Sequence, residues 1–416
     1  MTENSSYRWY VLMGSFLILV IDGGVRFSFG VLIKPLVSEL SWDRGAVTLA
    51  YTVNMLVFAC CQPLAGKLLD RLGPRVLFSL SALVATTGLT LTSAIDSLWE
   101  LYLYYGVLTA VGTSGISISV VSSTLSRWFK SLRGFVSGLA ISGTALGQFL
   151  MIPLLALLMG KFSWRWTWII LGLLLSTVII PVSLAIMGRE PRTGGAETVA
   201  GTAHTNGVDK SLFQGISANT SDVLRSRNFL LVASTYFICG FQDFFFVTHL
   251  IPFATDQGFS AQEASNLQGL AGLLSIPGLL LFSGLSERLG RKIPLFLTFL
   301  PRLLCFALLV FFSDRLGIYI SALLFGFTLM ASAPLAAVLI GELYGLRNIG
   351  TLTGVVFWVH HLGGALGAYT GGFVYDLMQS YEAAFIAALI LAVIAALTSI
   401  SIRENHLGIV PPDLRS

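Results

Sequence analysis

Twelve apolar stretches, each long enough to cross a bilayer, run through this chain, centred near residues 22, 57, 86, 113, 146, 176, 241, 275, 303, 328, 361 and 391. A hydrocarbon core about 30 Å thick needs about 20 apolar residues per helical crossing. A helix satisfies its own backbone hydrogen bonds there, which an open strand cannot do. Residues that would interrupt such spans are scarce: 11% of the 416 residues are charged, against about 25% in a soluble domain. The expected fold is therefore an all-α membrane protein with twelve transmembrane helices.

Charge distribution sets the expected orientation. With a cytoplasmic N-terminus, eighteen of the 25 Lys and Arg residues fall in the N-terminal tail, the even-to-odd loops and the C-terminal tail. Five fall in the opposite loops (Lys34, Arg44, Lys161, Arg165, Arg315), and Arg26 and Arg302 lie within spans. This asymmetry predicts that both termini are cytoplasmic. It also explains the net charge of +4 as a topology signal, so no nucleic-acid partner is expected. The start, MTENSSYRWY, has neither a basic n-region nor a cleavage site, so the first span is expected to be retained. Cys60, Cys61, Cys239 and Cys305 all lie in spans without metal-ligand spacing, so no metal site is expected.

The one long polar stretch, residues 189–227, is rich in Gly, Ala, Thr and Ser and reads as a flexible linker. It separates two six-span halves, 1–188 and 228–416, and these halves are related in sequence. A shift of 217 residues lays GKLLDRLGPR (66–75) on SGLSERLGRK (283–292), matching Asp70 with Glu287, Arg71 with Arg288 and Gly73 with Gly290. The same shift pairs Pro35 with Pro252 and Glu39 with Asp256. A shift of 216 pairs Gly134, Gly138 and Gly147 with Gly350, Gly354 and Gly363. Six spans per half is an even number, so the halves are parallel repeats about an axis along the membrane normal. Glycines four apart, such as Gly134 and Gly138, are expected to allow close helix packing.

With these features together, the chain resembles the major facilitator superfamily, whose signature loop between helices 2 and 3 is similar to GKLLDRLGPR and its second copy. Within it, RWFKSLRGFVSGLAISGTALG (127–147), SFGVLIKPL (28–36) and HHLGGALGAYTGG (360–372) resemble the monocarboxylate transporter and oxalate/formate antiporter branch. The resemblance implies that helices 1, 4, 7 and 10, with 2, 5, 8 and 11, line a central cavity. It implies gating roles at the cytoplasmic face for Asp70, Arg71, Glu287 and Arg288. It also implies a substrate-binding cation on helix 11, where His360 stands nearest. One feature departs from the branch: the arginine expected before a proline on helix 8 is replaced by Ile276.

The ionisable residues inside spans carry the functional reading, because a charge near the bilayer centre costs about 2.5–3.5 kcal/mol even on lenient scales. The 217 shift lays Arg26 on Asp243, which predicts a cation and an anion facing each other across the cavity. An arginine there binds a carboxylate bidentately. Asp22, four residues before Arg26, is the alternative partner on the same helical face. Arg302, on a peripheral helix, is expected to be structural, either snorkelling or pairing within the second half. His249, Asp243 and Asp22 are proton-coupling candidates, histidine because it titrates near neutrality. Of His360 and His361, only one is expected on the cavity face. Asn54, Gln148, Gln242, Trp358 and Tyr369 are expected to complete the substrate site with Arg26, Asp243, His360 and His361.

No phosphate loop, HExxH motif or nucleophile elbow occurs, so neither an enzyme nor a cofactor is expected. The expected function is secondary active transport of a small, monocarboxylate-like organic anion by alternating access, coupled to protons or to anion exchange. The alternative is a proton-driven exporter of drugs or other small molecules on the same fold. The expected setting is a monomer in the plasma membrane, as a multi-pass protein of a bacterial inner membrane.

Overall fold

The structure is a computed structural model that describes residues 3–129, 133–188, 223–344 and 349–403. All regular elements among these residues are helical: α1 (Glu3–Arg26), α2 (Phe29–Leu40), α3 (Arg44–Thr92), α4 (Leu98–Leu101), α5 (Ala110–Ser114), α6 (Ile118–Trp128), α7 (Arg133–Lys161) and α8 (Trp164–Ile186). After the linker come α9 (Arg227–Asp256), α10 (Ala261–Leu289), α11 (Lys292–Phe311), α12 (Arg315–Thr328), α13 (Ser332–Tyr344), α14 (Ile349–Met378) and α15 (Glu382–Ile400). A π-helical stretch, Tyr102–Thr109, joins α4 to α5. Ten segments among the described residues are long and apolar enough to cross a membrane. The termini proposed to be cytoplasmic and most of the linker, residues 189–222, lie outside the described residues.

The 49 residues of α3 span about 73 Å at 1.5 Å per residue, more than twice a hydrocarbon core. The helix breaks at Gly73, whose φ of 72° favours glycine, and Pro74 follows. Gly290, its match in the repeat, ends α10 with a φ of 78°. The sequence repeat is therefore also a backbone repeat at this turn.

Chain reversals at 41–43, 93–97, 162–163, 257–260, 312–314 and 379–381 lie at the end of the bundle opposite the N-terminus, the far end. The breaks at Gly73 and Gly290 lie at the near end. Within the first half α1 packs on α7, and within the second α14 packs on α9. Both contacts depend on matched glycines. Gly147 lies against the backbone of Val20, and Gly363 against that of Phe237, with no room for a side chain. Between the halves, α3 packs on α14 and α7 on α10. Gly138 departs from its expected packing role, since none of the described residues lies within 4 Å of the position its Cβ would take.

Candidate substrate site

The first span is two helices. α1 ends at Arg26 and α2 begins at Phe29, so the carbonyls at the break lose their helical partners. Side chains replace them: Tyr51 donates its hydroxyl to Arg26 O (3.0 Å), Gln268 its amide to Phe27 O (3.2 Å), and Ser28 Oγ donates to Val25 O (2.8 Å). Irregular backbone at membrane depth persists only where it is satisfied in this way. Arg26 sits in the last turn of α1, where the negative end of the helix dipole favours a cation.

The Arg26 guanidinium lies 4.3 Å from the Phe58 ring centroid and 5.6 Å from that of Phe244. It borders a small cleft with Val25, Asn54, Met55, Phe58, Thr109 and Thr113. Its polar partner is His361, with Arg26 Nη2 2.7 Å from Nε2. Arginine can only donate, so Nε2 must accept. The other ring nitrogen, Nδ1, lies 2.7 Å from Phe357 O and donates to it. His361 is therefore the neutral Nδ1–H tautomer, and Arg26 is held by an uncharged acceptor.

Asp243 does not oppose Arg26 as the repeat predicts. Its Oδ1 lies 2.8 Å from Nη1 of Arg302, and its Oδ2 accepts from His360 Nε2 at 3.2 Å. Arg302, 0% exposed, also donates to the carbonyl and hydroxyl oxygens of Thr328. Snorkelling is thus excluded, and the arginine pairs within the second half. The repeat fixes depth along the bundle, while the side chain turns to whichever neighbour offers charge. Both histidines face inward because α14 is flanked by α9 on one side and by α3 on the other. Adjacent helical residues point about 100° apart, so His360 reaches Asp243 while His361 reaches Arg26. Cys239 lies with Asp243 and His360 in metal-ligand proximity. Arg302 already occupies one carboxylate oxygen there, so the donor set fits an ion pair better than a metal.

The remaining expected site residues divide. Asn54 borders the Arg26 cleft and donates to Tyr105 O at 2.7 Å. Gln148, fully buried, donates to Gln268 O and packs on Gly272, so it joins the halves beside the break. Gln242 turns away from the cleft and donates to Ala388 O on α15. Trp358 is 45% exposed, and Tyr369 stacks on Phe373 with centroids 5.6 Å apart. Neither residue is brought to Arg26. Asp22 is buried on α1.

His249 belongs to a different cluster, at the far end. Its Nε2 donates to Ala368 O (2.7 Å), and its Nδ1 accepts from Tyr381 Oη (3.2 Å). Tyr381 in turn accepts from Arg44 at 3.1 Å. Arg44 makes a bidentate pair with Asp256 (2.6 and 3.0 Å), which Lys34 joins at 2.6 Å. The Asp376 carboxylate accepts the backbone N–H groups of Arg44 (3.0 Å) and Gly45 (2.6 Å), capping the start of α3 from the other half. Sequence reading missed this lock because it counted Lys34 and Arg44 only as loop charges. The pairing of Glu39 with Asp256 in the repeat was the available signal, although Glu39 itself bonds Trp164 and Arg165.

At the near end, Asp70 pairs with Arg127 of its own half at 2.7 Å, and its side chain is 76% exposed. Arg71, Glu287 and Arg288 are exposed.

Residues 15–368 and 232–407 match the model of the Major Facilitator Superfamily. The chain is 26% identical to the uncharacterized MFS-type transporter YcxA of Bacillus subtilis over 389 residues, 92% of this chain and 91% of that one. It is also 26% identical to monocarboxylate transporter 12 of Xenopus laevis, covering 92% and 86%. It is 26% identical to the oxalate:formate antiporter of Oxalobacter formigenes, covering 61% and 57%. Among solved structures, the inward-facing, occupied bacterial homolog of the human lysosomal transporter Spinster superposes with a TM-score of 0.74 at 17% identity, covering 95% and 96%. The nucleoside transporter NupG gives 0.74 at 13%, covering 96% and 100%. At these identities the structural likeness bears on fold alone.

Proposed function

Because the chain belongs to the Major Facilitator Superfamily, we propose that it is a secondary active transporter of a small, monocarboxylate-like organic anion, working by alternating access. On this reading there are twelve spans in two six-helix halves, 1–188 and 228–416, joined by the 189–227 linker. Both termini are cytoplasmic, and the protein is a plasma-membrane monomer, in keeping with a bacterial inner membrane. Two features support twelve rather than ten crossings. The break at Gly73 divides α3 into two lengths, and the thirty residues of α14 extend about 45 Å. With that topology the far end is extracellular, and its lock closes the outer side.

The observation that carries the substrate reading is Arg26: an intramembrane guanidinium beside a cleft, held by a neutral nitrogen instead of an acid. A carboxylate outcompetes imidazole for a guanidinium because the pairing is charge-assisted and bidentate. In the proposed cycle the anion displaces His361 and pairs with the Arg26 guanidinium, with Asn54 lining the same cleft. An anion paired in this way costs less to seal inside the membrane than a bare one, so loading precedes closure of the near end. The Asp243–His360–Arg302 cluster sets the polarity of the opposite wall. Asp243, His249 and Asp22 are the groups available to move a proton. Asp70, Arg71, Glu287 and Arg288 act at the cytoplasmic gate. Similarity to proteins named monocarboxylate transporters and an oxalate:formate antiporter supports the same class. The buried cation disfavours the exporter of cationic drugs.

The test is uptake of labelled formate, lactate, pyruvate and oxalate into proteoliposomes by wild type and Arg26→Gln. Uptake of at least one anion that Arg26→Gln abolishes supports the reading. Transport of a lipophilic cation that survives the substitution refutes it.

A further inference from the structure

Asp22 stands one helical turn before Arg26 and is 1% exposed. Neither of its buried carboxylate oxygens meets a hydrogen-bond partner among the described residues. An ionised carboxylate so placed requires a counter-charge, whereas a protonated one does not. The cation within reach is Arg26, since side chains four apart on a helix are about 6 Å from one another. The helices packed on α1 supply no other at this depth. The ionisable residues of α7, Arg133 and Lys161, are at its ends, Arg165 of α8 is in its first turn, and Arg127 of α6 is in its last. Tyr51 of α3 is engaged with the Arg26 carbonyl, Tyr105 borders the same cleft, and His361 is neutral and bound to Arg26 itself.

We propose that Asp22 is the carboxyl that carries the coupling proton, taken up when a substrate anion occupies Arg26 and released when the anion leaves. The proposal rests on anion docking at Arg26. Charge accounting gives its logic. With the site empty, ionised Asp22 offsets Arg26. With the anion bound, the anion offsets Arg26, and the carboxylate of Asp22, no longer stabilised, binds a proton from water in the open cleft. Both complete states are neutral, whereas anion without proton, or proton without anion, leaves one net charge to be sealed inside the membrane. Only the neutral states close readily, so one anion and one proton cross together and the cycle is electroneutral. Asp243 is poorly suited to this task because Arg302 matches its charge and His360 bonds its other oxygen whatever occupies Arg26.

The test uses proteoliposomes with labelled L-lactate and formate as probes, in two assays: accumulation driven by an acid exterior, and counterflow at equal pH. Wild type should accumulate the transported probe about tenfold per pH unit, the limit for one proton per anion. Asp22→Asn should lose accumulation entirely yet keep counterflow, and Asp22→Glu should recover accumulation. In detergent, a pH dye should register proton uptake when the probe is added to wild type but not to Asp22→Asn. Accumulation by Asp22→Asn overturns the proposal. So does loss of counterflow in an Asp22→Asn protein whose melting temperature is unchanged. A wild type inert to both probes and also to pyruvate and oxalate overturns anion docking at Arg26 as well, which separates the two failures.

Discussion

The two ends of the bundle are built from the same helix pairs and behave oppositely. At the far end α3 meets α14 and α7 meets α10 at backbone distance. Gly45 abuts Asp376 and Phe373, Gly372 abuts Arg44 and Thr48, and Gly269 and Gly272 abut Pro153 and Gln148. At the near end of the same four helices, Gly66, Gly354, Gly138 and Gly284 have nothing among the described residues within 4 Å of a would-be Cβ. The charges differ too. Arg44, 8% exposed, is tied to the other half, while the acid at the near end, Asp70, pairs within its own half in solvent. Glycine allows contact but does not create it. The ion pairs and the N-terminal cap across the interface decide which end is shut.

The most direct way to break this difference is Asp256→Asn. It leaves Lys34 and the buried Arg44 without their acid, and losing the charge-assisted hydrogen bonds of this partly exposed pair costs about 1.5–3 kcal/mol. The far-closed state should lose most of its population. A cysteine placed at the buried Thr48 in a cysteine-free background should then react with an impermeant thiol reagent from the far face. Next in size is Asp376→Ala, which strips the acceptor from two backbone N–H groups and should cost about 1–3 kcal/mol, read by the same labelling and by a lower melting temperature. Asp70→Asn should cost about 1 kcal/mol or less, since exposed pairs contribute little, with no gain in labelling at position 48. Gly284→Leu sharpens the comparison from the other side. Its open surroundings predict a stability within about 0.5 kcal/mol of wild type, yet transport should fall because the near end can no longer close. Unimpaired uptake by that variant would show that the near-end glycines never meet the opposite half.

Much of this was readable beforehand. Spans declare themselves by composition, and a glycine repeat such as Gly147 and Gly363 by spacing, because lipid exposure and backbone approach are local demands on residue type. Arg26 stood out for the same reason, as a charge where apolar residues are needed. Its partner did not, nor did that of Asp243. The repeat predicted that the two would face each other, but each side chain found a different partner, His361 and Arg302, through helix rotations that sequence spacing does not encode. The break after Arg26 was also hidden, because Phe27 and Ser28 carry no helix-breaking signal, and the break is held by Tyr51 and Gln268 from distant parts of the chain.

The sequence by itself determined that this chain must be a helical membrane protein built on a repeat with a charged centre, because hydropathy and glycine spacing act within each helix. Tertiary structure alone decided which charges meet and which end is sealed. Those depend on contacts between residues distant in the chain, such as Arg44 with Asp256 across 212 positions, whose energies compare whole arrangements of the two halves.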